Sequence, residues 1–311
     1  MTAAAQDLRR VETRFEAAGG RKLFRRAWLP ERPDALLVIV HGFGEHSGRY
    51  EGLARFFAHR GFAVHAYDQV GHGQSSGRRG HVDAFDWFHD DLERFLALVR
   101  SEHPGLPLVL LGHSMGGLVV ASYAGMRTPD ADLLVTSGAA LSVGKGVSGF
   151  KMWLARVLRR VWPTLAIEAG LDVQGLSRDP EVIRRYEEDP LVHGKASVAF
   201  GASMSDVTAQ ALACAGRVRL PMFLLHGEDD PLCEAEGSRR FFEALPQDEA
   251  AGSALRIYPG LRHEIFNEPE REQVYQDVLD WTRTRLEDVA TRPDSSAPSP
   301  AATPSEESAT A

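Results

Sequence analysis

Ser114 lies in L-L-G-H-S-M-G-G (110–117), a hydroxyl between glycines where an apolar run meets a helix-like stretch. A serine so placed is exposed on a sharp strand-to-helix turn, as a nucleophile must be to reach a bound carbonyl. Such a turn crowds its neighbours, and Gly112 and Gly116 have no Cβ to clash. A serine hydroxyl is a weak nucleophile until a base takes its proton, most often a histidine oriented by a carboxylate. For a nucleophile on such an elbow the chain order is serine, acid, histidine. After Ser114 the acid candidates are Glu228, Asp229 and Asp230 in H-G-E-D-D-P-L-C. The base is expected at His263 in Y-P-G-L-R-H-E, because His193 lies outside any strand–loop context and His226 precedes the acid.

Attack on a carbonyl places negative charge on its oxygen, which preorganised backbone amides hold best. One donor is expected from Met115, directly after the serine. A second is expected from Phe43 in H-G-F-G-E-H-S-G-R-Y (41–50), where Gly42 and Gly44 allow a tight backbone path. The glycines of D-Q-V-G-H-G-Q-S-S-G (68–77) lack the Lys-Ser/Thr ending of a phosphate loop, so no nucleotide is expected. The twelve histidines show no His-x-x-x-His pairing with a carboxylate, and no metal site is expected.

Those residues need a scaffold that gathers them. Val11–Trp28 partly alternates around Gly19-Gly20, as a β-hairpin does. Ala35–Val40, Phe62–Tyr67, the P-L-V-L-L-G run before Ser114, Asp132–Thr136, Pro221–His226 and Ala254–Tyr258 read as strands. Tyr50–Arg60, Asp86–Val99, the stretch after Ser114, Glu236–Ala244 and Glu270–Leu286 read as helices. Strands alternating with helices predict an α/β fold, a mostly parallel sheet covered on both faces. Ligands bind such sheets beyond the strand C-termini. His41, Asp68, Ser114, Asp230 and His263 each follow a predicted strand end.

Residues 144–206 break this rhythm, with turn-rich S-R-D-P and E-E-D-P segments and no clear strand. They read as a lid inserted into a core of residues 1–143 and 207–289. Residues 290–311, rich in Pro, Ser and Ala, are expected to be disordered. Within the lid, Phe150, Trp153, Leu154, Val157, Leu158, Val161 and Leu165 follow helical spacing, with Lys151, Arg156, Arg159 and Arg160 mainly on other faces. Such a helix either roofs a pocket or makes peripheral contact with an anionic membrane.

The 311 residues are 43% hydrophobic and 25% charged, the balance of an ordinary globular protein. A net charge of −8 argues against a nucleic-acid partner, which needs a basic face. Cys214 and Cys233 are too few for a disulfide framework and fit a reducing compartment. The N-terminus has no apolar core of a secretory signal, and a cytoplasmic location is expected.

Taken together, H-G-F-G-E-H-S-G-R-Y, D-x-x-G-H-G-Q-S, P-G-L-P-L-V-L-L-G-H-S-M-G-G and H-G-E-D-D-P-L-C…G-L-R-H-E resemble the monoacylglycerol lipase and lysophospholipase branch of the α/β-hydrolase fold, over about residues 10–287. The resemblance implies an eight-stranded core, a helical cap over an acyl tunnel, and no cofactor. It implies Asp230 as the acid, ahead of its neighbour Asp229. It also implies that Glu45 and Arg49 belong to the polar head-group end, although an ion pair holding the loop fits them equally. Cys233 matches a cysteine near the acid of some members. The function implied is hydrolysis of a single-acyl lipid ester, first a monoacylglycerol. A lysophospholipase is the alternative, its phosphate met by Arg49, Arg78 or Arg79. A proline-type aminopeptidase would need an acidic pocket for a free amine, and none can be assigned.

Overall fold

The A-L-L-V-I-V run forms strand β3 (Ala35–Val40), and all six side chains are buried. In the computed structural model, which describes residues 8–142, 160–248 and 250–291, β3 lies near the middle of an eight-stranded sheet. The other strands are β1 (Arg9–Glu16), β2 (Lys22–Leu29), β4 (Phe62–Tyr67), β5 (Leu108–His113), β6 (Leu133–Ser137), β9 (Met222–Gly227) and β10 (Ala254–Tyr258), in the order β1-β2-β4-β3-β5-β6-β9-β10. β1 and β2 form the expected hairpin, turning at Gly19 and Gly20 with φ of 66° and 75°. β2 also runs antiparallel to β4, and every pairing from β4 to β10 is parallel.

Alternation along β3 divides the core into two layers. Leu36, Val38 and Val40 pack with Phe88 and Leu92 of α2 (Asp86–Glu102) and Leu118 of α3 (Met115–Met126). Ala35, Leu37 and Ile39 pack with Leu53 and Phe57 of α1 (Glu51–Ala58) and with Val274 and Val278 of the C-terminal helix, Arg271–Thr291. Covering both faces is why these strands are continuously apolar. Each buried aliphatic side chain contributes about 1.5–3 kcal/mol relative to exposure.

Residues 160–197 leave the core rhythm and hold two elements that the sequence reading missed. β7 (Ala166–Glu168) and β8 (Lys195–Ser197) form a separate antiparallel pair where no strand was expected. Three-residue strands are too short to display a period. Between them the turn-rich S-R-D-P begins a helix, α4 (Pro180–Glu188). The Asp179 side chain caps it by accepting from the Glu181 amide, and Pro180 occupies the first turn. The expected lid boundary at 206/207 falls inside α5 (Val198–Cys214). α5 packs on α3 so closely that a Cβ on Gly125 would lie 2.8 Å from the Cys214 carbonyl oxygen. α6 (Ala235–Glu243) and the C-terminal helix, α7, complete the core. Most of the expected amphipathic helix (Phe150 to Leu158) and residues 292–311 lie outside the described residues.

Candidate active site

Parallel strands put their C-terminal ends on one edge of the sheet. β3 leads there to Phe43, β5 to Ser114, β9 to Asp230 and β10 to His263. Ser114 has φ 53° and ψ −116°, and among the described residues it is the single non-glycine at positive φ. Such a conformation costs about 1–3 kcal/mol and persists only when its surroundings hold it. Here the Ser114 amide donates to the Ser137 carbonyl at 2.9 Å, and its own carbonyl accepts from Leu118 and Ala140. The flanking glycines are sterically required. A Cβ on Gly112 would lie 2.2 Å from the Gly116 carbonyl oxygen, and one on Gly116 would lie 2.1 Å from that of Val40.

Asp230 is buried, whereas Glu228 and Asp229 are exposed, which separates the three acid candidates. Its Oδ1 accepts from the amides of Leu232 and Cys233 at 2.8 and 2.9 Å. Its Oδ2 meets His263 Nδ1 at 2.7 Å and His226 Nε2 at 3.1 Å. Burial opposes ionisation of Asp230, but the two imidazoles outweigh it and hold the carboxyl well below its ordinary range. Burial likewise disfavours a charged His263, and the Asp230 carboxylate reverses this, raising its pKa above the ordinary 6.5. With Nδ1–H directed at Asp230, the His263 Nε2 lone pair is free to accept a proton.

Approach of the two loops depends on Gly227. A Cβ there would stand 2.2 and 2.3 Å from the carbonyl oxygens of Arg262 and Leu261. Ser114 and His263 line one cavity of about 580 Å³, and the ring of His113, the residue before Ser114, lies 4.8 Å from that of His263. Cys233 lines the same cavity as Ser114 and holds Asp230 through its amide. His226, Arg78, Arg79 and His193 are not among the described residues lining the cavity.

Phe43 and Met115 line the same cavity. Met115 opens α3, where an amide has no partner in a preceding turn and the helix dipole favours an anion. Phe43 and its loop are held by residues of the 189–200 segment. The Phe43 ring stacks on Phe200 at 5.2 Å, the His193 amide donates to the Gly44 carbonyl at 2.9 Å, and His46 Nε2 meets Asp189 at 2.8 Å. Gly44 turns at φ +74°, and a Cβ there would lie 2.3 Å from the His193 carbonyl oxygen. Asp189, His193 and Phe200 therefore fix the loop that carries Phe43.

Glu45 and Arg49 are partners. Glu45 accepts from the Gly42 amide at 2.6 Å, Tyr50 at 2.7 Å and Arg49 at 2.9 Å. The same guanidinium grips Glu264 with two bonds of 2.6 and 2.8 Å. Burial raises Glu45, but Arg49, His113 and His41 together with the Tyr50 hydrogen bond outweigh it and hold the carboxyl at about 2. Both carboxylates also favour a protonated His263. The sequence reading missed Glu264. Its one local signal is adjacency to the base in R-H-E, because its partner stands 215 positions away.

Away from this edge, ligand-type atoms of His65, Glu102 and His103 lie within 4.8 Å of one another. Glu102 is gripped twice by Arg25 (2.9 and 2.5 Å), and the two imidazoles meet at 3.1 Å through their Nε2 atoms.

Residues 31–270 match a family model described as serine aminopeptidase, S33. The chain is 35% identical over 279 residues to a monoacylglycerol lipase of Mycolicibacterium smegmatis, covering 89% of this chain and 98% of that one. It is 35% identical over 280 residues to a monoglyceride lipase of Homo sapiens, covering 88% and 91%. The crystal structure of a Paleococcus ferrophilus monoacylglycerol lipase superposes with a TM-score of 0.74 at 37% identity, over 85% of this chain and 99% of that one.

Proposed function

The chain belongs to the serine aminopeptidase S33 family and is a serine ester hydrolase of the monoacylglycerol lipase type with an α/β-hydrolase fold, and from that premise we propose that it releases fatty acid from monoacylglycerol through an acyl-enzyme on Ser114. The observation that carries this is the 2.7 Å Asp230–His263 hydrogen bond, whose imidazole lines the same cavity as Ser114. Ser114 Oγ attacks the ester carbonyl carbon while His263 Nε2 takes its proton. Asp230 stabilises the imidazolium and fixes its Nδ1–H tautomer. The Phe43 and Met115 amides hold the oxyanion. Collapse of the tetrahedral adduct expels the glycerol oxygen, which takes the proton from His263. Water then attacks the acyl-enzyme, giving its proton to His263, and Ser114 leaves reprotonated with free fatty acid as the second product.

A single acyl chain suits the rest of the cavity, where Ile167, Leu171, Leu176, Val198, Met204 and Leu232 form apolar walls. A phosphate head group finds less support. Arg49 is engaged by two carboxylates, and Arg78 and Arg79 are exposed and outside the lining. Among the described residues no helix is long and apolar enough to cross a membrane. Val161, Trp162 and Ile167 nevertheless stand 78%, 60% and 54% exposed, and Ile167 also lines the cavity. Peripheral contact of this part of the cap with a lipid surface would deliver substrate directly.

The test is fatty-acid release from monooleoylglycerol and lysophosphatidylcholine, alongside aniline release from a prolyl anilide. Monooleoylglycerol is hydrolysed by the wild type and not by Ser114→Ala. Turnover of lysophosphatidylcholine with the monoglyceride left intact would overturn the head-group assignment.

A further inference from the structure

His226 occupies the penultimate position of β9, fully buried, and shares the acid with the base. Its Nε2 lies 3.1 Å from Asp230 Oδ2 and 2.8 Å from the Cys233 carbonyl oxygen. Both groups only accept, so Nε2 carries a proton, and in the neutral ring Nδ1 accepts from the Ser238 hydroxyl at 2.8 Å. An ionised carboxylate offers about four in-plane lone-pair sites. Two amides fill those on Oδ1, and His226 and His263 fill those on Oδ2.

We infer that His226 is a positioning residue for hydrolysis: by occupying one lone pair of Asp230 Oδ2, it aims the other at His263 Nδ1. The inference rests on the roles proposed above for Asp230 and His263. The two amides hold Oδ1 from the segment that follows Asp230, and a terminal carboxylate torsion is otherwise broad. The bond that fixes Oδ2 independently of His263 comes from β9, a rigid strand. Shared donation has a second effect. It withdraws charge from Oδ2 and moderates the basicity that Asp230 confers on His263. Ser238, buried on α6, fixes the ring and so the direction of Nε2–H.

Replacing His226 with Leu removes the donor, while Gln keeps a side-chain N–H of comparable reach. For His226→Leu, kcat falls about ten- to hundredfold, the range for losing a hydrogen bond to a charged group, with KM within about twofold. The acid limb of kcat/KM moves to higher pH, because an unshared Oδ2 makes His263 more basic. His226→Gln restores kcat to within about threefold of wild type and returns the limb. The other titratable groups facing the pair are His113, Glu45, Glu264 and Cys233, and all stay unchanged. A structural role alone would lower the active fraction without moving the limb.

The low-field proton resonance of His263 Nδ1 gives a readout without turnover: it shifts in His226→Leu and returns in His226→Gln. If His226→Leu does not fold, Ser238→Ala carries the test, with a smaller shift of resonance and limb in the same sense. Wild-type kcat, limb and resonance in a folded His226→Leu would overturn the inference, as would equal losses in both variants with an unmoved limb. Asp230→Asn separates the two levels. Its retention of full activity would refute the triad, whereas its inactivity beside a neutral His226→Leu would refute the role of His226 alone.

Discussion

Arg49→Met keeps an aliphatic stem of similar length and deletes the guanidinium that joins Glu45 to Glu264. Three short bonds vanish, and two carboxylates with side chains 5% and 3% exposed lose their cation. Removing one side of a buried ion pair costs about 3–5 kcal/mol, because the remaining charge stays desolvated. Glu45 alone gives a consistent figure. It is held at about 2 against an ordinary 4.5, which is about 3 kcal/mol at 1.36 kcal/mol per pH unit. Since its folded pKa is depressed, that stability is complete above 4.5 and lost as pH falls through about 2. In Arg49→Met both carboxylates instead take up protons readily, so the deficit is largest at pH 8 and shrinks toward pH 5. Urea unfolding followed by tryptophan fluorescence at both pH values measures the deficit. Adding Glu45→Gln and Glu264→Gln to Arg49→Met recovers most of it. A loss below about 1 kcal/mol at pH 8, the scale of an exposed pair, would refute this account, and so would a pH-independent deficit.

Three further outcomes follow from the same geometry. His263 must be neutral to act, and Asp230 raises its pKa against the effect of burial, so the acid limb of kcat/KM falls above 6.5; a limb below 6.5 would contradict this. Burial keeps His65, His89 and His113 neutral down to about 3, 4 and 4, so the unfolded chain binds more protons once the pH drops below 6.5. Their stability contribution is therefore whole above 6.5 and lost progressively toward pH 3–4, and an unfolding midpoint unchanged between pH 7 and 5 would refute it. Gly116→Ala sets a methyl 2.1 Å from the Val40 carbonyl oxygen, a backbone atom that cannot yield. It is expected to abolish activity and destabilise the fold by about 1–3 kcal/mol, and a folded, active variant would disprove the steric reading of the elbow.

Much of the candidate site was legible because strong local rules apply there. The elbow at Ser114 demands glycine on both sides for reasons of contact distance, and parallel strands demand unbroken apolar runs. The four β-ends then follow from connectivity. Asp230 was separable from Asp229 in the sequence only through family resemblance, whereas in the fold burial separates them. What stayed illegible depends on long-range pairing. Glu264 becomes meaningful only when the loop after β10 meets Arg49 of the segment after β3. His226 looked excluded by chain order, yet that order concerns the base and leaves a positioning role open. The cap was hardest to read. Its strands are three residues long, and the Asp179-Pro180 pair, read as a turn, is also a helix start.

The proposed function requires Ser114 to be the nucleophile for monoacylglycerol hydrolysis. Stoichiometric labelling with a fluorophosphonate, mapped by peptide mass spectrometry and followed by fatty-acid release from monooleoylglycerol, tests it most directly. One equivalent of label is expected on Ser114, with loss of release in proportion to labelling. Label on another residue, or full release from the fully labelled protein, would contradict it.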